Sequence, residues 1–213
     1  MVVSDYITVG SNPAGIVFDG TDLWVSNASS NEVSRISPAS DAVIASVNVG
    51  TGTTDVAHDG TYIWATGGVA GKVYKIDPTD NSVDATLNIA QFPLAVAYGA
   101  SSVWVCRLTA DAVDRIDVAT NTVTATISVG DAPVDVTFDG TDVWVVNQTG
   151  LSVSRIDPAT NTVSATVSLT AGTTPSAITT DGSSVWLANQ GTGTISTIDP
   201  ATNTVVSTFG TNW

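Results

Sequence analysis

The stretch Asp139-Gly-Thr-Asp-Val-Trp-Val145, followed by Arg155-Ile-Asp-Pro-Ala-Thr-Asn-Thr-Val163, decides the fold. Related stretches occur five times, and their tryptophans lie at Trp24, Trp64, Trp104, Trp144 and Trp186. Each copy contains an apolar segment, usually an Asp-Gly turn, a Trp segment and two further segments rich in Val, Ile and Thr. A period near 40 residues with four short strands is typical of a propeller blade. The sequence therefore predicts an all-β fold, a β-propeller of five four-stranded blades.

The repeats are expected to form a single domain spanning residues 1–213, because one blade cannot bury its own faces. We place them at 11–50, 51–90, 91–130, 131–170 and 171–213. Residues 1–10 align with the fourth strand of the repeats, although residues 204–209 already supply one to the last repeat. The chain is therefore predicted to carry a surplus N-terminal outer strand.

This extra strand leaves three arrangements open. It packs as a fifth strand on one blade, it pairs with another molecule as an exposed edge, or incomplete closure is completed by another chain. Pairing with another molecule would make the chain bind a protein partner or self-associate. The residues expected at this assembly edge are Tyr6, Ile7 and Val9, with Trp213 as a terminal anchor.

The composition limits the classes of partner. The chain of 213 residues has 20 acidic and 6 basic residues, a net charge of −14, so nucleic acid and anionic membrane surfaces are disfavoured. No apolar run reaches the length of a membrane span, and we expect no membrane insertion. Neutral or cationic partners, including glycans, fit this surface. Met1 begins no signal-peptide pattern; an extracellular or virion-surface location is favoured.

The repeats resemble the YVTN and lactonase-like bacterial β-propellers, which include the streptogramin B lyase family. The two stretches quoted above carry the resemblance, which extends over all five repeats. It implies the propeller fold and, for the lyases, a metal-assisted elimination that uses histidine and glutamates. This chain departs from that pattern, because Glu32 is its only glutamate and Asn27 or Asn147 stands after the Trp segment.

Two single residues are candidates for chemistry. His58 is the only histidine and could serve as a general base or metal ligand, but Phe18 and Phe138 occupy the equivalent position in other repeats. We interpret His58 as a packed ring. Cys106 is the only cysteine, and without a base placed beside it we interpret it as a small buried side chain. We therefore expect no catalytic residue.

Charged residues recur once per repeat. The third-strand cations are expected to form Arg–Asp pairs between adjacent blades with the aspartates two positions later, the alternative being a ring of cations that binds a ligand. The first-turn aspartates, Asp19 with Asp22 and Asp139 with Asp142, are expected to cap turns rather than to bind calcium, because no dense loop of oxygen ligands is present. We expect no metal and no cofactor. The cations are Arg35, Lys75, Arg115 and Arg155, and the later aspartates are Asp77, Asp117 and Asp157.

Differences between repeats indicate where a ligand would bind. The position three residues after each tryptophan should share one rim with the connections between repeats, and loops on a rigid scaffold commonly carry binding. The residues that we predict to bind a ligand are Asn12, Asn27, Gln91, Phe92, Arg107, Asp131, Asn147 and Asn189.

The functional expectation is a non-enzymatic binding or structural module, displayed on a surface for attachment or assembly, for example in a virion or phage tail. The first alternative is a metal-assisted lyase or a lactonase like the streptogramin B lyases. The second alternative is a pure spacer that only presents its ends to partners. A shortage of paired acid–base residues disfavours the enzymes.

Overall fold

The computed structural model describes residues 6–210, in which all regular structure is β. Twenty strands form five four-stranded antiparallel sheets, each built from four consecutive strands. We call these sheets blades 1 to 5. The predicted all-β fold with five four-stranded propeller blades is confirmed. No helix among these residues is long and apolar enough to cross a membrane.

The first compact unit ends at Pro93 and contains blades 1 and 2. Blade 1 consists of β1 (Pro13–Phe18), β2 (Leu23–Asn27), β3 (Glu32–Ser37) and β4 (Ala42–Asn48). Blade 2 consists of β5 (Thr53–His58), β6 (Ile63–Gly67), β7 (Lys72–Asp77) and β8 (Ser82–Asn88).

The second compact unit begins at Leu94 and contains blades 3, 4 and 5. Blade 3 consists of β9 (Pro93–Gly99), β10 (Ser102–Arg107), β11 (Ala112–Asp117) and β12 (Thr122–Ser128). Blade 4 consists of β13 (Pro133–Phe138), β14 (Val143–Asn147), β15 (Ser152–Asp157) and β16 (Thr162–Ser168). Blade 5 consists of β17 (Pro175–Thr180), β18 (Val185–Asn189), β19 (Thr194–Asp199) and β20 (Thr204–Gly210).

The turn between the first and second strands of a blade fixes the tryptophan that follows it. In blade 1 the Asp19 carboxylate accepts from the backbone N–H of Thr21 and Asp22, and its other oxygen accepts from the Trp24 ring N–H at 2.7 Å. Gly20 adopts φ +99°, which glycine reaches without strain. The predicted role as turn caps is confirmed for Asp19 and Asp139. It is wrong for Asp22 and Asp142, because their carboxylates bind arginines of the third strand.

Blade faces pack on one another through apolar side chains within each unit. In the first unit, Trp24, Val33 and Val47 of blade 1 share a buried cluster with Val56 and Ile63 of blade 2. In the second unit, two equivalent clusters join blade 3 to blade 4 and blade 4 to blade 5. One face of blades 1, 3 and 4 therefore presents its tryptophan to the first strand of the next blade.

The surplus outer strand stays a prediction. Residues 6–9, which include Tyr6, Ile7 and Val9, form no strand, and Tyr6 is 83% exposed. Residues 1–5 and Trp213 lie outside the described residues. Each sheet in the described range has four strands.

Candidate functional surface

Blades 1, 2, 4 and 5 each have a rim at which the turn between the second and third strands meets the segment that leads into the first strand. In blade 1 the N–H of Ala28 donates to the Asn12 carbonyl, and in blade 4 the N–H of Gly150 donates to the Asp131 carbonyl. Blade 5 repeats the pattern between Gln190 and Thr174. We call the exposed loops joined in this way the crossover rim. In these blades, backbone hydrogen bonds fix the loops, and loops positioned by a rigid scaffold commonly carry binding.

The asparagines predicted to bind a ligand lie beneath the crossover rim rather than on it. Asn27, Asn147 and Asn189 are almost fully buried, at 0 to 2% exposure. Their side-chain N–H groups donate to hydroxyls of the third strand at 2.8 to 2.9 Å, namely those of Ser34, Ser154 and Ser196. Each leaves its Oδ1 without a protein partner, and because this recurs in three blades it is a property of the repeat.

The same position in blades 2 and 3 shows a paired replacement. Gly67 lies beside Tyr74 of the adjacent strand, and a Cβ at Gly67 would lie 2.9 Å from the Tyr74 ring. Arg107 donates to Asp114 of the adjacent strand at 3.1 Å, while Asp114 is 2% exposed. The last residue of the tryptophan strand is therefore matched, in every blade, to the residue seven positions later. Ligand binding by the residues at this position stays a prediction, although they already contact the third strand of their own blade.

Of the other predicted binding residues, Asn12 and Asp131 lie on the crossover rim, and Gln91 and Phe92 lie in the connection between β8 and β9. Asn12, Gln91 and Asp131 are exposed, and Phe92 is half-buried against Gly68. The segment Ala90–Phe92 has φ of +59°, +51° and +57°, three successive non-glycine residues in the left-handed region. Such conformations cost energy and persist only where surrounding contacts impose them. Here the N–H of Ala90 donates to the Gly71 carbonyl at 2.9 Å.

A groove in blade 5 was not foreseen from the sequence. It has a volume of about 420 Å³ and is lined by serine and threonine residues together with Leu169 and Val205. The Thr173 hydroxyl is buried without a hydrogen-bond partner, while the Ser196 and Thr208 hydroxyls bond to each other at 3.0 Å. We call it the hydroxyl groove; its lining residues are Ser168, Leu169, Thr170, Thr173, Thr192, Thr194, Ser196, Val205 and Thr208.

The third-strand arginines join adjacent blades, although not through the aspartates that the sequence suggested. Arg155 binds Asp142 of its own blade at 2.6 Å and donates to the Pro200 carbonyl and Asn203 of blade 5. It also lies 5.2 Å from the centre of the Trp144 ring. We call this set of contacts the arginine lock; Arg35 and Arg115 form it as well, Arg115 with Ser102 in place of the aspartate.

The aspartates two positions after these cations have a different role. Asp77, Asp117 and Asp157 accept from backbone N–H groups of the following turn, for example from Ala119 at 2.9 Å. These hydrogen bonds from backbone and threonine hydroxyls lower the pKa of Asp117 and Asp157. The Arg–Asp pairing predicted with these residues is wrong, because short turns already engage their carboxylates.

His58 lies in a polar groove of about 370 Å³ in the first unit, which Asp19 and Arg35 also line. Burial opposes ionisation of Asp19, but hydrogen bonds from Asp22, Trp24 and Thr21 and the nearby His58 together lower its pKa. Blade 5 has a corresponding groove at Thr180, without histidine. The recurrence favours a scaffold feature. Among residues 6–210, no group of three or more His, Cys, Asp or Glu side chains could hold a metal ion.

Two further groups are buried in the scaffold. Cys106 is fully buried within the apolar cluster of blades 3 and 4, as expected for a small packed side chain. Burial raises the pKa of Asp135 to about 6, although its carboxylate accepts from the N–H of Ile178 and of Val136. Asp135 thereby joins blade 4 to the first strand of blade 5.

No protein-family model and no curated protein sequence matches the chain. The structure resembles virginiamycin B lyase from Staphylococcus aureus with a TM-score of 0.83 at 16% identity, over 95% of this chain and 71% of that one. It also resembles hydrazine synthase from Kuenenia stuttgartiensis, with a TM-score of 0.79 at 18% identity over 96% and 68%. A functionally unknown protein from Desulfotomaculum acetoxidans gives 0.79 at 20% identity over 96% and 72%.

These likenesses are all below 25% identity, and they concern the fold. A structure of a catalytically inactive variant of this lyase with quinupristin also resembles the chain, with a TM-score of 0.83 at 17% identity. Five four-stranded antiparallel blades and these neighbours together place the chain among the β-propeller folds.

Proposed function

We propose that the chain is a non-enzymatic binding module that recognises a neutral, hydroxyl-rich partner, a glycan, at the hydroxyl groove of blade 5. The observation that carries the proposal is this groove, in which the Thr173 hydroxyl is buried without a partner beside a row of threonine and serine hydroxyls. Hydroxyls both donate and accept, which suits the alternating donors and acceptors of a sugar.

The charge of the molecule supports a neutral partner. The net charge is −14, and no lysine, arginine or histidine lines the hydroxyl groove. An anionic ligand would therefore meet repulsion without a compensating cation. The groove is also lined by Leu169 and Val205, against which the apolar face of a sugar ring can pack.

The recurring charged groups support a binding role over an enzymatic one. In blades 1 and 4, the turn aspartate is bonded to the tryptophan ring and the arginine to Asp22 or Asp142. These groups hold the scaffold together, which leaves the loops to differ from blade to blade. Display on a surface, as in an adhesion or virion protein, is part of this proposal, as is membership of the YVTN and lactonase-like propellers.

A glycan array with the purified chain tests the proposal. We expect retained glycans, and we expect Thr173→Val and Thr208→Val to weaken binding at least tenfold because each removes a hydroxyl at nearly constant volume. Thr141→Val, in the first turn of blade 4, is the matched control and should bind like the native chain. Binding that is absent, or equal in all four proteins, would refute the glycan assignment.

One observation keeps a lyase as a second candidate, since His58 lies in a polar groove with Arg35 and Asp19. The chain is incubated with quinupristin and divalent cations, and its conversion is followed by chromatographic retention, because a ring-opening elimination leaves the mass unchanged. Conversion that disappears in His58→Phe would favour the lyase over the binding module. We expect no conversion.

A further inference from the structure

Blade 1 exposes two apolar side chains on its first strand, and the counterpart of one of them is buried in every other blade. Ile16 is 63% exposed, whereas the residues at the same position of blades 2 to 5 are only 5 to 7% exposed: Val56, Val96, Val136 and Ile178. Phe18, two residues later on the same face, is 54% exposed. We call Ile16 and Phe18 the leading face.

The fifth blade carries the opposite half of the same contact. Ile195 is 39% and Phe209 is 53% exposed, whereas their equivalents in blades 1 to 4 are 0% and 4 to 8% exposed: Val33, Val73, Val113 and Val153 for the first, and Val47, Leu87, Ile127 and Val167 for the second. Trp186, half-buried and stacked on Phe209 at 6.5 Å, lines an apolar cavity of about 320 Å³ with Ile195. We call Trp186, Ile195 and Phe209 the trailing face.

Contacts inside each unit show what covers such faces. The equivalent of the trailing face on blade 4, formed by Trp144, Val153 and Val167, packs on Ile178 of blade 5. The equivalent on blade 1 packs on Val56 of blade 2. The partner of a trailing face is thus the first strand of a following blade, which is what a leading face presents.

Both faces also lack a residue that the arginine lock requires. Thr197 occupies the arginine position of blade 5, and Asp41 occupies the position of the asparagine that accepts from that arginine in internal blades. A contact between the two faces would therefore keep the apolar part of the interface and lack the arginine lock. Such a contact would be weaker than those within the chain.

We propose that the trailing face of one copy of this chain binds the leading face of a second copy. Each chain carries both halves of one interface, and in the structure of a single chain both halves are exposed. The contact is heterologous, so copies add head to tail and form either a closed ring or an open chain. Because each copy carries a net charge of −14, association should strengthen as salt screens the repulsion.

Sedimentation velocity across a concentration series tests the proposal. The native chain should form dimers or larger species as concentration and salt increase. Thr197→Arg should tighten association about ten- to a hundredfold, since it adds a charge-assisted hydrogen bond to the Pro38 carbonyl or Asp41 of the second copy. The new arginine can bond Ser184 of its own blade, as Arg115 bonds Ser102.

Two variants, each with one of the two faces disrupted and called broken copies below, give the decisive experiment. One carries Ile16→Asn with Phe18→Ser, and the other carries Ile195→Asn; each alone should be monomeric, and an equal mixture should form a dimer that ends there. Val69→Asn, at a loop residue that is 68% exposed and outside both faces, is the control and should associate like the native chain. Circular dichroism confirms that every variant is folded.

Several results would overturn the proposal. These are a chain that stays monomeric even as Thr197→Arg, broken copies that associate by themselves, and a mixture that fails to pair. Loss of association on deletion of residues 1–10 alone, with both faces intact, would assign the contact to an edge strand instead. Glycan binding is measured separately, so neither proposal depends on the other.

Discussion

Replacing Arg155 by alanine tests the arginine lock most directly. The change removes two hydrogen bonds that Arg155 donates to the Asp142 carboxylate, at 2.6 and 3.0 Å, and two that it donates to the Pro200 carbonyl and the Asn203 side chain of blade 5. Bonds to charged groups contribute about 1.5–3 kcal/mol each, and an unpaired carboxylate left buried adds a further penalty. Since the Arg155 side chain is 21% exposed, solvent screens part of this, and we expect a loss of about 3 kcal/mol.

The chain contains its own control for this experiment. Arg115 makes the same contacts to the next blade but bonds Ser102 instead of a carboxylate. Arg115→Ala leaves no buried charge behind, and we expect a loss of about 1.5–2 kcal/mol. Urea denaturation followed by tryptophan fluorescence measures both free energies of unfolding. Equal losses in the two variants, or losses below about 0.5 kcal/mol, would refute the role of the lock and of its buried carboxylate.

Three further changes probe the scaffold. Burial raises the pKa of Asp135 to about 6, so its stabilising contribution is fully present below pH 3.8 and is lost as pH rises through 6. Between these pH values, the free energy of unfolding of the native chain should fall by up to about 3 kcal/mol relative to that of Asp135→Asn. Urea denaturation at each pH measures both free energies. Gly67→Asn should destabilise by roughly 1–3 kcal/mol through overpacking against Tyr74, and adding Tyr74→Ser should recover most of it in a double-mutant cycle; no coupling would contradict the matched pair. His58→Phe should change stability by less than about 1 kcal/mol in thermal unfolding, because Phe138 fills the same position; a larger loss would indicate a specific role for the imidazole.

The sequence predicted the parts of the fold that depend on neighbouring residues. Asp139 and Gly140 specify a turn by short-range chemistry, and Trp144 follows at a fixed spacing, so the positions of the strands follow from the sequence. Whether Asn27 could bind a ligand was harder to predict, because the burial of its side chain depends on the course of the chain at the end of β2. The replacement of asparagine and serine by Gly67 and Tyr74 was a signal that could have revealed the buried pair.

Long-range partners account for what the sequence did not predict. Arg35 contacts Pro78 and Asn81, 43 and 46 residues later, whereas Asp77 lies only two residues after the equivalent cation and was the nearer choice. The hydroxyl groove likewise combines residues that are distant in sequence, because Thr173 lies before β17 and Thr208 lies in β20. Spacing along the chain carries no information on such contacts unless the register of each blade is known.

Variation between blades separates scaffold from function more clearly than the shared residues do. The arginine lock is present in blades 1, 3 and 4, each of which is followed by a blade with an asparagine acceptor. Thr197 and Asp41 depart from this pattern on the two blades whose faces are exposed, while the apolar residues there are retained as Ile16, Ile195 and Phe209. Chance loss would affect apolar and polar positions alike. A contact that keeps apolar complementarity without the arginine lock is what a reversible interface between copies requires, because its strength is then set by concentration and salt.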